Sequence, residues 1–163
     1  SIDEYNQRIY NKTASLFCTA AEAGGVLSGA PDTESAALSQ YGYNLGMAFQ
    51  IMDDLLDFTG TEEKLGKPVG NDLLQGTVTL PVLLFAEQNP TLPALKRLTD
   101  GSTEPDDLRA VVDLVRASSV IEESAVVMES YKQKALDALT HVPQHRARES
   151  LEALTDYVSH RRS

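Results

Sequence analysis

Apolar residues recur along this chain at intervals of three and four, with polar residues between them and short breaks at Gly and Pro. That pattern predicts helix after helix and no strand. Tyr5, Ile9, Leu16, Phe17, Ala20 and Ala21 outline a first helix, which the Gly24-Gly25 and Gly29-Ala30-Pro31 breaks are expected to end. A second helix, capped by Asp32 or Thr33, runs from about Thr33 to Phe58 and stops at Thr59-Gly60. It turns Leu38, Tyr41, Leu45, Ala48, Phe49, Met52 and Leu56 inward. After a Gly- and Pro-punctuated loop, a short helix from about Thr79 to Glu87 carries Pro81 in its first turn, where a missing N–H costs little. Another helix follows Asn89-Pro90. Glu104 to Ala117 is amphipathic, Ser118 to Leu139 carries the stripe Ile121, Ala125, Met128, Tyr131, Ala135 and Leu139, and Arg146 to His160 carries Ala147, Leu151, Leu154 and Val158. The expectation is an all-α single domain over residues 1–163, without internal repeats or low-complexity linkers.

The second helix contains the run Gly46-Met-Ala-Phe-Gln-Ile-Met-Asp-Asp-Leu-Leu-Asp-Phe58, which sets three carboxylates among apolar side chains. Asp53 and Asp57 are four residues apart and share a helix face, and Asp54 lies about 100° round from Asp53. Ionised together they repel one another and resist desolvation unless a cation or many donors neutralise them. Their position at a helix C-terminus, which disfavours anions, also asks for a compensating cation. Mg²⁺ suits such a place, because it prefers oxygen ligands, keeps several waters and shares its shell with substrate phosphates. Mn²⁺ is the alternative ion. Solvated acids on a helix face also produce D-D-x-x-D by chance.

Two flanking segments turn the balance. Downstream, Leu65-Gly-Lys-Pro-Val-Gly-Asn-Asp-Leu-Leu-Gln-Gly-Thr-Val-Thr-Leu-Pro81 brings a lysine into the loop. Upstream, Tyr10-Asn-Lys-Thr-Ala-Ser-Leu-Phe17 places Lys12 in line with Ile9, Leu16 and Ala20 rather than on the opposite, wet face.

At these residues the chain resembles the trans-type isoprenyl diphosphate synthases. The K-T-A-x-L-F setting is matched by Lys12 and Thr13, and F-Q-x-x-D-D-x-x-D by Phe49, Gln50, Asp53, Asp54 and Asp57. Gly66, Lys67, Gly70 and Asp72 match G-K-x-x-G-x-D, and Thr79, Leu80 and Pro81 match the T-L-P helix start. Order and spacing both fit, and the resemblance runs to Arg162. It implies the C-terminal part of an isoprenoid-synthase helical bundle. Members carry an earlier aspartate motif and a basic segment for isopentenyl diphosphate, and neither is found here. Thr77 stands where many members have a lysine.

The resemblance implies a prenyltransferase that condenses an allylic diphosphate with isopentenyl diphosphate to make a longer trans-polyprenyl diphosphate. In such enzymes the two aspartate motifs hold three Mg²⁺ on the leaving diphosphate, and the allylic cation is attacked by the second substrate's double bond. Asp53, Asp54 and Asp57 would be the metal ligands, Asp53 foremost, Asp57 its partner on the helix and Asp54 an outer or alternate one. Lys12, Thr13, Gln50 and Lys67 would attend the leaving group, the lysines by charge. Thr13 and Gln50 would turn their partial negative charge to the cation. Phe49, with Phe17 or Leu45, would contribute a wall of the apolar substrate cavity, and core packing is the alternative role for these aromatics. Condensation by these residues alone is not expected, and self-association into a homo-oligomer such as a dimer is. A non-catalytic regulatory or partner subunit on the same fold is the alternative; terpene cyclisation fits the K-T-A and G-K-P elements less well.

Composition narrows the remainder. With 42% hydrophobic and 23% charged residues the chain is globular, and a net charge of −10 argues against a nucleic-acid partner. Cys18 is the sole cysteine, which excludes an internal disulfide and suggests a reduced, cytoplasmic setting and a buried structural thiol. No run reaches the roughly 20 apolar residues of a membrane span. The absence of an initiator Met and the start inside a helical pattern suggest a trimmed beginning. His141, His145 and His160 are not spaced as a metal pair, no Walker or dinucleotide glycine loop occurs, and Arg161 and Arg162 could reach an anionic substrate.

Overall fold

Helices follow one another from Ile2 to Ser159. The structure, a computed structural model, describes residues 1–61, 63, 66, 68–99 and 104–159, and no strand occurs among them. The elements are α1 (Ile2–Ile9), a π-helical turn (Tyr10–Ala14), α2 (Ser15–Leu27), α3 (Asp32–Thr59), α4 (Asn71–Leu74), α5 (Leu80–Gln88), α6 (Pro93–Thr99), α7 (Pro105–Arg116), α8 (Val120–Leu139) and α9 (Arg146–Ser159). Helix bounds follow the apolar pattern closely, with exceptions in the first helix and in the loop after α3. Helix α4 sits inside what the sequence presents as loop, and the first helix is split by the π turn.

The helices form two packed units. One is built from residues 3–52 together with α8 from Val126 onward and α9. Here the π turn decides which side chains are inside. The inward stripe runs Tyr5, Ile9, Ala14, Phe17, Ala21 and Gly25, and its step from Ile9 to Ala14 is five residues rather than four. One extra residue in a turn rotates everything downstream by about 100°. Lys12, Leu16 and Ala20 are therefore exposed, Leu16 at 72%, which corrects the expectation that Lys12 shares an inward line with them. Helix α2 also continues through Gly24-Gly25, where an end was expected, and stops at Gly29 with φ +73°.

Helix α3 lies close against the π turn and α2. A Cβ on Gly42 would stand 2.3 Å from the Phe17 carbonyl oxygen, and one on Gly46 would stand 2.5 Å from Ala14 Cα. The two glycines let backbone approach backbone. From Tyr41 to Phe58 almost every residue of α3 is buried or half-buried, the signature of a helix inside a core rather than on a surface.

Tyr41, Leu45, Ala135, Leu139 and Val158 form this unit's core, with Phe17, Leu38 and Phe49 half-buried against them. The expected α9 stripe is only partly right. Leu154 is exposed and Ala147 faces solvent, whereas the polar Thr155 is buried. The Thr155 and Tyr41 hydroxyls each donate to the Leu151 carbonyl at 2.9 Å, which explains how two polar groups are accommodated there.

The other unit is centred on residues 53–125. Phe58, Leu73, Val82, Phe85, Leu95, Val111, Val112, Val115 and Val120 make its core. In α7 the buried Val111, Val112 and Val115 line one face while acidic and basic residues occupy the other, as the amphipathic pattern predicts.

Candidate functional site

The C-terminal turns of α3 put the three aspartates in three different settings. Asp53 is exposed, while Asp54 and Asp57 are 3% and 2% exposed. No three His, Cys, Asp or Glu side chains among the described residues come together as a group that could hold a metal ion. Asp54 is rotated away from Asp53 by the helix, and Asp57 is turned inward against the chain that follows.

That chain returns to α3 at Asp57. The Asp57 backbone carbonyl accepts the Gly70 N–H at 2.8 Å, and its Oδ2 accepts the Asp72 N–H at 3.0 Å. Gly70 is the N-cap of α4, with φ +69° and ψ +25°, a left-handed conformation natural to glycine. A Cβ there would lie 2.5 Å from Val112 Cγ2. Lys67, expected to contact the diphosphate, lies outside the described residues, as do Lys64, His160, Arg161 and Arg162.

Gln50 precedes Asp53 and Asp54 by three and four residues on α3 and is 4% exposed. Its Oε1 accepts a hydrogen bond from the Thr13 hydroxyl at 2.9 Å. This bond uses the Thr13 hydroxyl hydrogen and one of the two lone pairs of Gln50 Oε1. Thr13 and the exposed Lys12 sit on the π turn, a local distortion that often accompanies function and that helical periodicity does not reveal. Phe49 is half-buried, its ring 5.7 Å from that of Phe17 at 35°, within the core cluster of its own unit. Cys18 is half-buried, with Sγ 3.2 Å from the Ser39 hydroxyl, which donates to Glu22 at 2.9 Å.

Thr79 is a residue whose setting the sequence concealed. It caps α5 in extended conformation, is 2% exposed, and its hydroxyl has no hydrogen-bond partner among the described residues. A buried hydroxyl left so costs about 1–3 kcal/mol.

An all-helical chain whose long central helix ends in F-Q-I-M-D-D-L-L-D has the architecture of the isoprenoid-synthase helical folds. It superposes on the crystal structure of heptaprenyl diphosphate synthase from Staphylococcus aureus with a TM-score of 0.93 and 37% identity, covering 100% of this chain and 51% of that one. The crystal structure of polyprenyl synthase from Caulobacter crescentus CB15 complexed with calcium and isoprenyl diphosphate matches with a TM-score of 0.85 and 36% identity, over 100% of this chain and 51% of that one.

The Polyprenyl synthetase family model matches residues 1–115, and the chain belongs to that family. It is 45% identical over 158 residues to heptaprenyl diphosphate synthase component 2 of Bacillus subtilis, covering 97% of this chain and 45% of that relative. It is 40% identical to a prenyl transferase of Synechocystis, over 96% and 48% of the two chains. The chain thus spans about half the length of the curated relatives it matches.

Proposed function

We propose that this chain supplies the diphosphate-leaving half of a trans-polyprenyl diphosphate synthase, which condenses an allylic diphosphate with isopentenyl diphosphate. The observation that carries the reading is the complete F-Q-x-x-D-D-x-x-D turn at the end of a buried helix in a family member. Asp53 presents its carboxylate to solvent and Asp54 lies beside it in sequence, a donor set suited to Mg²⁺ or Mn²⁺. Mg²⁺ is commonly held by one or two carboxylates with waters and substrate phosphates completing its shell. The calcium and isoprenyl diphosphate named in the Caulobacter crescentus structure support a divalent ion and a prenyl diphosphate here.

When bound, the ion would neutralise charge that builds on the departing diphosphate. The K-T-A and G-K-x-x-G-x-D motif matches propose Lys12 and Lys67 as further positive charge for that anion. The Thr13 to Gln50 hydrogen bond fixes the Gln50 carboxamide, so that this polar group meets a ligand in one orientation without reorganising. Phe49 and Phe17 offer apolar surface for a prenyl tail.

The 163 residues contain one D-D-x-x-D, and the synthases they resemble are about twice as long. Condensation is therefore assigned to the whole assembly that unites this chain with a first aspartate motif, acting in the cytoplasm. A homo-oligomer of such completed units is one form of it. The name component 2, carried by relatives from Bacillus subtilis and Geobacillus stearothermophilus, favours a second reading, in which this chain works with a different polypeptide.

The test is a thermal shift with farnesyl diphosphate, with and without Mg²⁺, on the wild type and Asp53→Ala. Stabilisation that needs metal and diphosphate together and disappears in the variant is expected. An equal shift without Mg²⁺, or one retained in Asp53→Ala, would refute the assignment.

A further inference from the structure

The third aspartate of the motif has a different occupation from the first two. We infer that Asp57 is a positioning residue that clasps the chain at Gly70–Asp72 onto the end of α3, and that it is not a metal ligand. The inference rests on the proposed diphosphate function only for its consequence at the site; the clasp itself is read from geometry.

Four observations converge on it. Asp57 lies within the last four residues of α3, whose carbonyls have no partner inside the helix, and the Gly70 N–H satisfies its carbonyl at 2.8 Å. A helix N-cap ordinarily offers a side-chain oxygen to the N–H two or three residues on. The N-cap of α4 is Gly70, which has no side chain, a left-handed backbone and no room for a Cβ beside Val112. The missing acceptor is supplied from α3: Asp57 Oδ2 takes the N–H of Asp72, two residues after the cap, at 3.0 Å. Finally, Asp57 is 2% exposed and its Oδ2 is taken by the Asp72 N–H, whereas Asp53 on the preceding turn is open to solvent.

One residue thus binds the returning chain through main chain and side chain together. A charged acceptor on a backbone N–H makes a short, strong bond, and two bonds from one residue fix direction as well as distance. The consequence for the site is that the loop containing Lys67 in sequence rejoins α3 at a defined point, one helical turn past Asp53. The spacing D-D-x-x-D then encodes two tasks: a solvent-facing ligand at Asp53 and a loop anchor at Asp57.

The test compares Asp57→Asn, Asp57→Ala and Asp53→Asn in the whole chain by two measurements. One is amide hydrogen exchange over Gly70–Leu74; the other is calorimetric titration with inorganic pyrophosphate in the presence and absence of Mg²⁺. Asparagine keeps an oxygen for the Asp72 N–H while losing the charge a metal would need. Asp57→Asn is expected to hold the segment's protection and to keep Mg²⁺-dependent pyrophosphate affinity within about threefold, since less than half of a 1.4 kcal/mol decade is at stake.

Asp57→Ala is expected to speed exchange at Gly70 and Asp72 by about tenfold or more, as an acceptor is removed. Asp53→Asn should leave exchange untouched and abolish the Mg²⁺ dependence. The inference is overturned if Asp57→Asn loses that dependence as fully as Asp53→Asn, or if Asp57→Ala leaves exchange unchanged. A wild type that binds pyrophosphate without regard to Mg²⁺ would instead sink the proposed function, while the exchange comparison would still decide the clasp.

Discussion

Replacing Gly42 by Ala sets two effects of opposite sign against each other, and the structure decides between them. Alanine in a helix interior is favoured over glycine by about 0.8–1.0 kcal/mol, so propensity alone predicts stabilisation. At Gly42 the new Cβ would stand 2.3 Å from the Phe17 carbonyl oxygen, 2.7 Å from its carbon and 2.8 Å from Cys18 Cα. These are backbone atoms and cannot swing aside as a flexible side chain would. Helices α2 and α3 must part by about 1 Å, and a gap of that size forfeits a quarter to a half of each contact's attraction along the seam. Overpacking of this kind costs about 1–3 kcal/mol, and rigid neighbours place the site at the upper end. The expected net is a loss of about 2 kcal/mol, which lowers Tm by about 4–8 °C for a chain of this size.

Gly24→Ala is the control, since it lies in α2 with nothing within 4 Å of its added Cβ. It should gain about 0.5–1 kcal/mol from the unfolded chain's reduced freedom and from helix propensity. Thermal denaturation of both variants, with urea titration for the free energies, gives the comparison. If Gly42→Ala shifted Tm upward as Gly24→Ala does, the close backbone approach of α2 to α3 would be wrong.

Two further perturbations test the polar groups inside each unit. Thr79→Val keeps the shape of the side chain and removes a buried hydroxyl that has no partner among the described residues, so urea denaturation should register a gain of about 1 kcal/mol; a loss would reveal an acceptor. Tyr41 and Tyr131 have their phenol pKa values raised, chiefly by burial, and for Tyr131 also by the neighbouring Tyr43. Above the ordinary tyrosine value of about 10 the unfolded chain releases protons that the folded chain retains, so this stability is present below that pH and is lost as pH rises through the raised values. Denaturation between pH 8 and 11 should show it, with a shallower fall in Tyr41→Phe, and an identical fall in that variant would remove Tyr41 as a cause.

The helices were legible because their signal is local. A 3.6-residue period and Gly or Pro breaks place α3, α5, α7 and α9 within a residue or two of where the pattern puts them. The acid-rich turn at Asp53 was legible as a candidate for the same local reason, since carboxylates in an apolar run conflict with their surroundings. What escaped the sequence lies where geometry departs from the regular period or comes from residues far along the chain. The π turn inserts a five-residue step between Ile9 and Ala14, so Leu16 and Ala20, inward on a uniform helix, are rotated outward while Phe17 and Ala21 stay on the inward stripe.

Asp57 is the second kind. Spacing pairs it with Asp53, four residues earlier on the same face, and nothing within that helix distinguishes the two carboxylates. The difference is made by Gly70 and Asp72, which return thirteen and fifteen residues later and take its carbonyl and carboxylate. Their hold depends on a glycine cap that cannot provide its own acceptor and is pressed against Val112. A motif defined by spacing along one helix therefore specifies where its carboxylates start from, and the chain that folds back onto the helix gives them different hydrogen-bond partners.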